Sequence, residues 1–185
     1  GWGVVAGDFD HDGDEDLAEV NGFDEGGLGG YPSRLWRNEG SLAFTEISGA
    51  SGFDVATSQR GLVALDYDGD GDLDLVSVEN GDSDLSPSTN GGWLRLHANS
   101  MEPGQNHPWL EVRLDTDLRP DLAPDGIGSR IRVTTGNRTQ TRMVTGGTSY
   151  LGRSSLTAHF GLGTSTTVDR VEVLLRVCAA LRLGI

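Results

Sequence analysis

Residues 7–17, GDFDHDGDEDL, place an aspartate at every second position from Asp8 to Asp16. Residues 65–75, LDYDGDGDLDL, repeat this arrangement 58 positions later, from Asp66 to Asp74. The flanks also correspond, since VVAGDF parallels LVALDY and DLAEVNG parallels DLVSVENG. The first half of the chain therefore contains an internal repeat, and the acidic loop is its centre.

The crowding of carboxylates in each loop predicts a bound cation. Two ionised carboxylates about 5 Å apart repel each other by about 3 kcal/mol at an effective dielectric constant of about 20. Ca²⁺ relieves such repulsion well because it accepts six to eight oxygen ligands in tolerant geometry, whereas Mg²⁺ retains its waters. We therefore expect two Ca²⁺ ions, one for each loop.

The spacing of the aspartates predicts which of them are ligands. Alternation brings loop positions 1, 3 and 5 to one side, and a glycine at position 6, Gly13 or Gly71, permits the sharp bend. Position 7 supplies its backbone carbonyl, and the aspartate at position 9 closes the site. The predicted metal-binding residues are Asp8, Asp10, Asp12, Asp14 and Asp16 in the first loop and Asp66, Asp68, Asp70, Asp72 and Asp74 in the second.

Two other interpretations of the loops are weaker. The first loop satisfies the EF-hand expression with Glu19 at position 12, but its flanks, GWGVVAG and VNGFDEGG, do not form helices, and the second loop has Ser77 at position 12. A merely acidic surface is the other alternative. Without the ten loop aspartates the formal net charge would be −4 instead of −14. Most of the net acidity therefore lies in two patterned loops.

The chain divides into two all-β parts. Residues 1–94 hold 20 acids and three arginines, whereas residues 95–185 hold eight acids and eleven arginines. Each copy of the repeat suggests about four short strands, in the first copy at 4–9, 17–20, 35–37 and 44–47, which is typical of a propeller blade. No convincing amphipathic helix is found. Further strands are predicted within 109–115, 130–135, 141–146 and 168–175, beyond a Pro- and Gly-containing junction at 100–108.

These motifs resemble two known families. VAGDFDHDGDEDLAEVNG, SRLWRNEG and GLVALDYDGDGDLDLVSVENG resemble FG-GAP/VCBS repeats, with copies at about 1–57 and 58–100. HPWLEVRL, DGIGSRIRV, GNRTQTRMVTGGTSYLGRSS and HFGLG resemble an ASPIC/UnbV domain at 107–185, although the last ten residues depart from that pattern. The combination is similar to the cartilage acidic protein family and its bacterial relatives.

The resemblance implies two β-propeller-type blades with calcium loops, followed by a small all-β domain. It also implies a non-catalytic, calcium-stabilised scaffold for adhesion or for recognition of an extracellular protein or polysaccharide, located outside the cell, in the periplasm or on the cell surface. The ASPIC/UnbV resemblance brings no established chemistry. The chain does not begin with Met, and we expect it to be an internal fragment of a longer protein.

Composition and the remaining residues argue against other functions. The acidic first half is a poor partner for nucleic acid, and no run of 18 apolar residues predicts membrane insertion. A carbohydrate-active enzyme, or an accessory part of one, is the alternative. It would need a carboxylate pair free of metal. The acids left over are scattered: Glu19, Asp24, Glu25, Glu79, Asp82 and Asp84.

Other side chains give weaker signals. The four histidines lie in no metal-binding pattern, and we expect His11, inside the first loop, to face solvent. The tryptophans are expected to pack between blades or modules, with an aromatic sugar platform as the alternative: Trp2, Trp36, Trp93 and Trp109. The arginines after residue 94 are interpreted as charged strand surfaces, with an anion-binding face as the alternative.

Overall fold

The computed structural model describes residues 1–22, 31–41, 43–79, 92–100, 107–147 and 149–176. In these ranges the fold is all-β, as predicted, and no sheet closes on itself. One four-residue helix, α1 (Ser48–Ser51), and a 3₁₀ turn at Pro124–Gly126 interrupt the strands. The strands are β1 (Val4–Gly7), β2 (Asp16–Glu19), β3 (Arg34–Asn38), β4 (Phe44–Glu46), β5 (Gln59–Leu65), β6 (Asp74–Glu79), β7 (Leu94–His97), β8 (Trp109–Val112), β9 (Arg130–Thr135), β10 (Arg138–Met143), β11 (Ala158–Gly161) and β12 (Arg170–Leu174).

The first sheet is an antiparallel meander with the strand order β1-β2-β3-β4. Pairing of Gly7 with Asp16 fixes the hairpin register, so residues 8–15, hereafter loop 1, form the connection between β1 and β2. Alternate residues of these strands face inwards, which buries Val5, Ala18 and Leu35. The apolar alternation therefore determines where the acidic loop emerges.

The second sheet repeats the hairpin, with the strand order β5-β6-β7. Leu65 pairs with Asp74, so residues 66–73, hereafter loop 2, occupy the same position as loop 1. Strand β1 packs against β5, and Leu62, Ala64 and Leu75 join the core of the first sheet. The two hairpins therefore share one hydrophobic core, which fixes the two acidic loops relative to each other.

The C-terminal β region, residues 107–176, has its own core. Strands β9, β10 and β12 form one sheet, and β8 pairs with β11 in another. Burial alternates along β9, where Ile131 and Val133 are fully enclosed, and Phe160 of β11 packs in the same cluster. The predicted strands at 130–135, 141–146 and 168–175 correspond to β9, β10 and β12, shifted by a few residues at their ends.

The short helix α1 was not anticipated from the sequence. It consists of Ser48–Ser51 and ends at Gly52, whose φ of 73° is the left-handed conformation that glycine tolerates. The Ser48 side chain accepts a hydrogen bond from the Leu35 backbone at 2.8 Å, so the helix is tied to β3. A single turn carries no hydrophobic periodicity, which is why the pattern could not predict it.

Candidate metal centres

The two acidic loops adopt closely similar backbone conformations. Gly13 and Gly71, at position 6 of each loop, both have φ of 93°. Position 4 is also left-handed in both loops, with φ of 59° at His11 and 80° at Gly69. The predicted sharp bend at position 6 is therefore present in both loops, and glycine suits it because it has no Cβ to clash.

The last aspartate of each loop is fixed by backbone amides. Asp16 accepts hydrogen bonds from the amides of Phe9 and Asn38, at 2.9 and 2.8 Å. Asp74 accepts equivalent bonds from Tyr67 and Asn99, at 2.7 and 2.8 Å. Each carboxylate is thus held at the start of its strand and oriented towards the loop.

Three aspartates of each loop converge. Asp8, Asp10 and Asp16 offer carboxylate oxygens that lie within 4.8 Å of one another, and we call this set cluster 1. The equivalent set, cluster 2, consists of Asp66, Asp68 and Asp74. Either cluster could hold a metal ion, and oxygen-only ligands favour a hard cation such as Ca²⁺.

The other predicted metal ligands lie outside the two clusters. The carboxylates of Asp12 and Asp70 accept hydrogen bonds from the backbone amides two residues later, at 2.7 and 2.9 Å. The carboxylate of Asp14 pairs with Arg138 at 2.8 Å, and that of Asp72 lies 3.6 Å from His11. Positions 1, 3 and 9 therefore converge, whereas the contributions predicted for positions 5 and 7 stay predictions.

Cluster 1 contains a buried oxygen that lacks a partner. Asp8 is only 1% exposed, and its Oδ1 has no hydrogen-bond partner among the described residues. Burial, against the opposing effect of Arg142 and with a smaller contribution from the nearby carboxylates of Asp12 and Asp16, raises the pKa of Asp8 to about 7. Burial likewise raises the pKa of Asp16 to about 7. A cation would supply the missing partner and offset the cost of burying these charges.

Cluster 2 satisfies its first aspartate differently. Asp66 accepts hydrogen bonds from two amides of its own loop, those of Gly69 at 2.7 Å and Gly71 at 3.0 Å. In cluster 1 the partner of Asp8 comes instead from the C-terminal β region, because the Gly161 amide donates to Asp8 Oδ2 at 2.9 Å. The two clusters thus share an arrangement of aspartates but differ in the groups that hold the first aspartate in place.

A chain of hydrogen bonds connects the two clusters. The Asn99 backbone donates to Asp74 of cluster 2, and the Asn99 side chain donates to the Phe9 carbonyl at 2.8 Å. The Phe9 amide in turn donates to Asp16 of cluster 1. Sequence analysis assigned Asn38 and Asn99 no role, although residues 33–40, SRLWRNEG, and residues 91–100, GGWLRLHANS, are parallel parts of the repeat and each contains one of these asparagines.

His11 does not face solvent, so that expectation is wrong. Its side chain is 0% exposed and lies between three parts of the chain. Nδ1 lies 3.1 Å from the His107 carbonyl and Nε2 lies 3.1 Å from the Gly71 carbonyl. The ring also packs against His159, with centroids 4.9 Å apart. A residue that appears to be a loop spacer is therefore a tertiary contact.

Residues 120–175 match the family model described as ASPIC and UnbV. We refer to these residues as the ASPIC/UnbV region, which contains β9 to β12. No family model for FG-GAP or VCBS repeats matches residues 1–100. No curated protein matches the chain. The comparisons therefore support the second resemblance, and the first stays a prediction.

The ASPIC/UnbV region contacts both acidic loops. Arg138 Nη1 donates to the Asp12 carbonyl, and the Gly163 amide donates to the His11 carbonyl at 2.8 Å. On loop 2, His159 Nε2 lies 2.9 Å from the Gly71 carbonyl. Just before the region, Trp109 covers Gly71 so closely that a Cβ there would lie 1.9 Å from the indole. Sequence analysis identified none of these contacts, since no local motif encodes them.

The remaining candidates are engaged in ordinary contacts where they are described. Glu19 accepts a hydrogen bond from Asn21, and Glu79 is paired with Arg95 and bonded to Thr57. Burial raises the pKa of Glu79, but those two partners outweigh it and the pKa is lowered. The other acids considered for catalysis lie outside the described residues: Asp24, Glu25, Asp82 and Asp84.

The tryptophans divide between contact and exposure. Trp2 packs edge-on against Tyr150 with centroids 5.2 Å apart, and the Arg60 guanidinium lies 4.6 Å above its ring. Trp109 stacks towards His159. Trp93, in contrast, is 68% exposed. Packing between modules thus applies to Trp2 and Trp109 but not to Trp93. Among the described residues, no helix is long and apolar enough to cross a membrane.

Proposed function

We propose that the chain is a non-catalytic, calcium-stabilised scaffold that presents a surface for adhesion or for recognition of an extracellular protein or polysaccharide. The observation that carries this proposal is the repeated carboxylate cluster at equivalent positions of two hairpins, one of which contains the unpartnered Oδ1 of Asp8. The likeness of loops 1 and 2 supports the further proposal that residues 1–100 form two propeller-type blades.

Calcium is the proposed ion because of the donor set. Carboxylate oxygens without a thiol or imidazole favour a hard cation over Zn²⁺, and an all-protein cage favours Ca²⁺ over Mg²⁺. Extracellular calcium modules have dissociation constants on the order of 10⁻⁴ to 10⁻³ M, and the calcium concentration outside cells is high enough to occupy such sites. This is why we place the protein outside the cell, in the periplasm or at the cell surface.

The test is a metal titration of chelator-stripped protein by calorimetry. We expect two equivalents of Ca²⁺ to bind, with weaker binding of Mg²⁺ and Zn²⁺. Asp10→Asn should abolish one equivalent and Asp68→Asn the other. Binding of no Ca²⁺, or a clear preference for Zn²⁺, would disprove the proposal.

The enzymatic alternative makes a different prediction. A glycosidase or lyase would hydrolyse or cleave glycans when Ca²⁺ is supplied, and removal of its carboxylate pair would abolish turnover. Glu19 and Glu79, the described candidates, already have partners. A screen of glycan substrates with calcium-loaded protein separates the two functions, and any turnover that survives purification would favour the enzyme.

A further inference from the structure

We propose that the ASPIC/UnbV region completes the loop 1 metal centre, so that metal occupancy of cluster 1 and docking of this region are one coupled equilibrium, whereas the carboxylates of cluster 2 are held by loop 2 and Asn99, outside that region. This inference rests on the proposed function, because it requires that cluster 1 binds a cation. It assigns a positioning role to residues of the ASPIC/UnbV region, which are far from loop 1 in sequence.

The first support is a direct bond to a candidate ligand. The Gly161 amide donates to Asp8 Oδ2 at 2.9 Å, and both groups are buried. A Cβ at Gly161 would lie 2.3 Å from Asp8 Oδ2 and 2.4 Å from the His11 Cα, so the fit excludes any side chain. This amide fixes one carboxylate oxygen and leaves the other, Oδ1, without a hydrogen-bond partner among the described residues.

The second support is a set of contacts between arginines of the ASPIC/UnbV region and the rest of loop 1. Arg138 donates to the Asp12 carbonyl and pairs with the Asp14 carboxylate at 2.8 Å. Its guanidinium also lies over the bend, since a Cβ at Gly13 would come within 2.7 Å of Arg138 Nη1. Further along, Arg142 Nε lies 3.3 Å from the Glu15 carboxylate. The region therefore holds the loop at several successive positions.

Loop 2 provides the internal contrast. Both oxygens of Asp66 are held by amides of loop 2 itself, and Asp68 is exposed. The ASPIC/UnbV region reaches this loop through a hydrogen bond from His159 to the Gly71 carbonyl rather than to a cluster carboxylate. Loss of docking should therefore distort cluster 1 and leave the geometry of cluster 2 largely intact.

Arg138→Ala gives a test in which simple electrostatics predicts the opposite result. Removing a positive charge near cluster 1 should strengthen cation binding by charge alone. The coupling proposed here predicts instead that calcium binding at cluster 1 weakens by about fivefold or more. The matched control is Arg170→Ala, which removes an exposed arginine of β12 that pairs with Glu172.

The two centres are measured separately by calorimetry in backgrounds with one centre removed. In the Asp68→Asn background, which retains cluster 1, Arg138→Ala should weaken Ca²⁺ binding, and Arg170→Ala should not. In the Asp10→Asn background, which retains cluster 2, neither arginine variant should change the affinity. An unchanged or stronger cluster 1, or equal weakening of both clusters, would overturn the inference.

Hydrogen exchange gives a second, independent measurement on the intact chain. Adding Ca²⁺ should slow exchange at residues 158–163, which include the Gly161 and Gly163 amides, in the native protein and in Asp68→Asn but not in Asp10→Asn. Exchange rates at residues 158–163 that are the same with and without Ca²⁺ would contradict the coupling. If the native protein binds no Ca²⁺, the proposed function fails together with the inference. If two ions bind and Arg138→Ala has no effect, only the coupling fails.

Discussion

His159 and Gly71 are 88 positions apart in the chain, yet the imidazole Nε2 lies 2.9 Å from the glycine carbonyl oxygen. Because a carbonyl oxygen can only accept a hydrogen bond, Nε2 carries the proton. The bond joins β11 to the bend of loop 2 in a site where His159 is only 6% exposed. Burial, and to a smaller extent the neighbouring His11, lowers the pKa of His159 to about 4.

This contact should make stability dependent on pH. The unfolded chain binds a proton at His159 below about pH 6.5, whereas the folded chain binds it only below about pH 4. Stability from this residue is therefore full above pH 6.5 and falls as the pH drops towards 4, by about 3 kcal/mol. Thermal melts of native protein and His159→Gln in saturating Ca²⁺ should differ most near pH 7.5 and converge near pH 4.5. A difference that does not vary with pH would contradict this.

Two glycines of loop 2 provide a matched pair of substitutions. Gly69 and Gly71 both have positive φ, so alanine costs about 1 kcal/mol at either position for backbone strain alone. A Cβ at Gly69 meets nothing within 4 Å, whereas one at Gly71 would lie 1.9 Å from the Trp109 ring. Gly71→Ala should therefore lower the melting temperature clearly more than Gly69→Ala and shift the tryptophan emission to the red. Equal effects of the two substitutions would show that the packing of Trp109 against Gly71 does not contribute to stability.

His11→Ala should destabilise the protein, contrary to what its position in an acidic loop suggests. The substitution leaves a cavity and removes the close contacts of the imidazole with the His107 and Gly71 carbonyls, and these losses together are worth about 3 kcal/mol. For a chain of this size that corresponds to a fall of about 6 °C or more in the melting temperature. Denaturant unfolding in excess Ca²⁺ measures the loss directly, and a change within error would refute the buried role.

Removal of metal should lower the melting temperature, and excess Ca²⁺ should restore it. Binding to the folded state alone adds about 2.7 kcal/mol for each site when the metal is at 100 times its dissociation constant. EDTA scans with and without added Ca²⁺ measure this effect. A melting curve unmoved by EDTA would mean that the aspartates are only surface charge.

Glu19→Ala is the control that separates this loop from an EF-hand. An EF-hand would lose its bidentate ligand at position 12. Here Asp16 closes cluster 1, and Glu19 is bonded to Asn21 instead. The variant should retain both equivalents of Ca²⁺ in a calorimetric titration, and loss of one equivalent would favour the EF-hand geometry.

The local part of this structure could be predicted from sequence, and the tertiary part could not. Alternation of apolar residues located β1 and β2, and the spacing of the aspartates placed Asp16 and Asp74 at the closing positions. These are short-range properties that depend on strand periodicity and backbone sterics. The positions of Asp8, Asp10 and Asp16 relative to one another follow from the same hairpin.

Sequence analysis did not identify the contacts between residues that are far apart in the chain, because no motif next to either residue indicates its partner. Arg138 is one of fourteen arginines and follows an ordinary hairpin turn, yet it lies against loop 1. His11 was interpreted from its neighbours, all of them loop residues, and its environment is decided by His107 and His159. Such pairings depend on how two sheets pack, which the local pattern of a sequence does not specify.

The link through Asn99 bears on how the molecule would respond to its surroundings. A single asparagine holds the closing aspartate of one loop and, through Phe9, the closing aspartate of the other. In the native chain, where both centres are intact, filling one centre would restrain the closing aspartate of the other, so the two ions would bind over a narrower range of calcium concentration than at independent sites. A calcium titration of the native chain would then have a Hill coefficient above one, and Asn99→Ala would reduce it. The occupancy of the two hairpins would then rise more steeply with calcium concentration than that of two independent sites, so the protein would distinguish calcium-rich from calcium-poor surroundings more sharply.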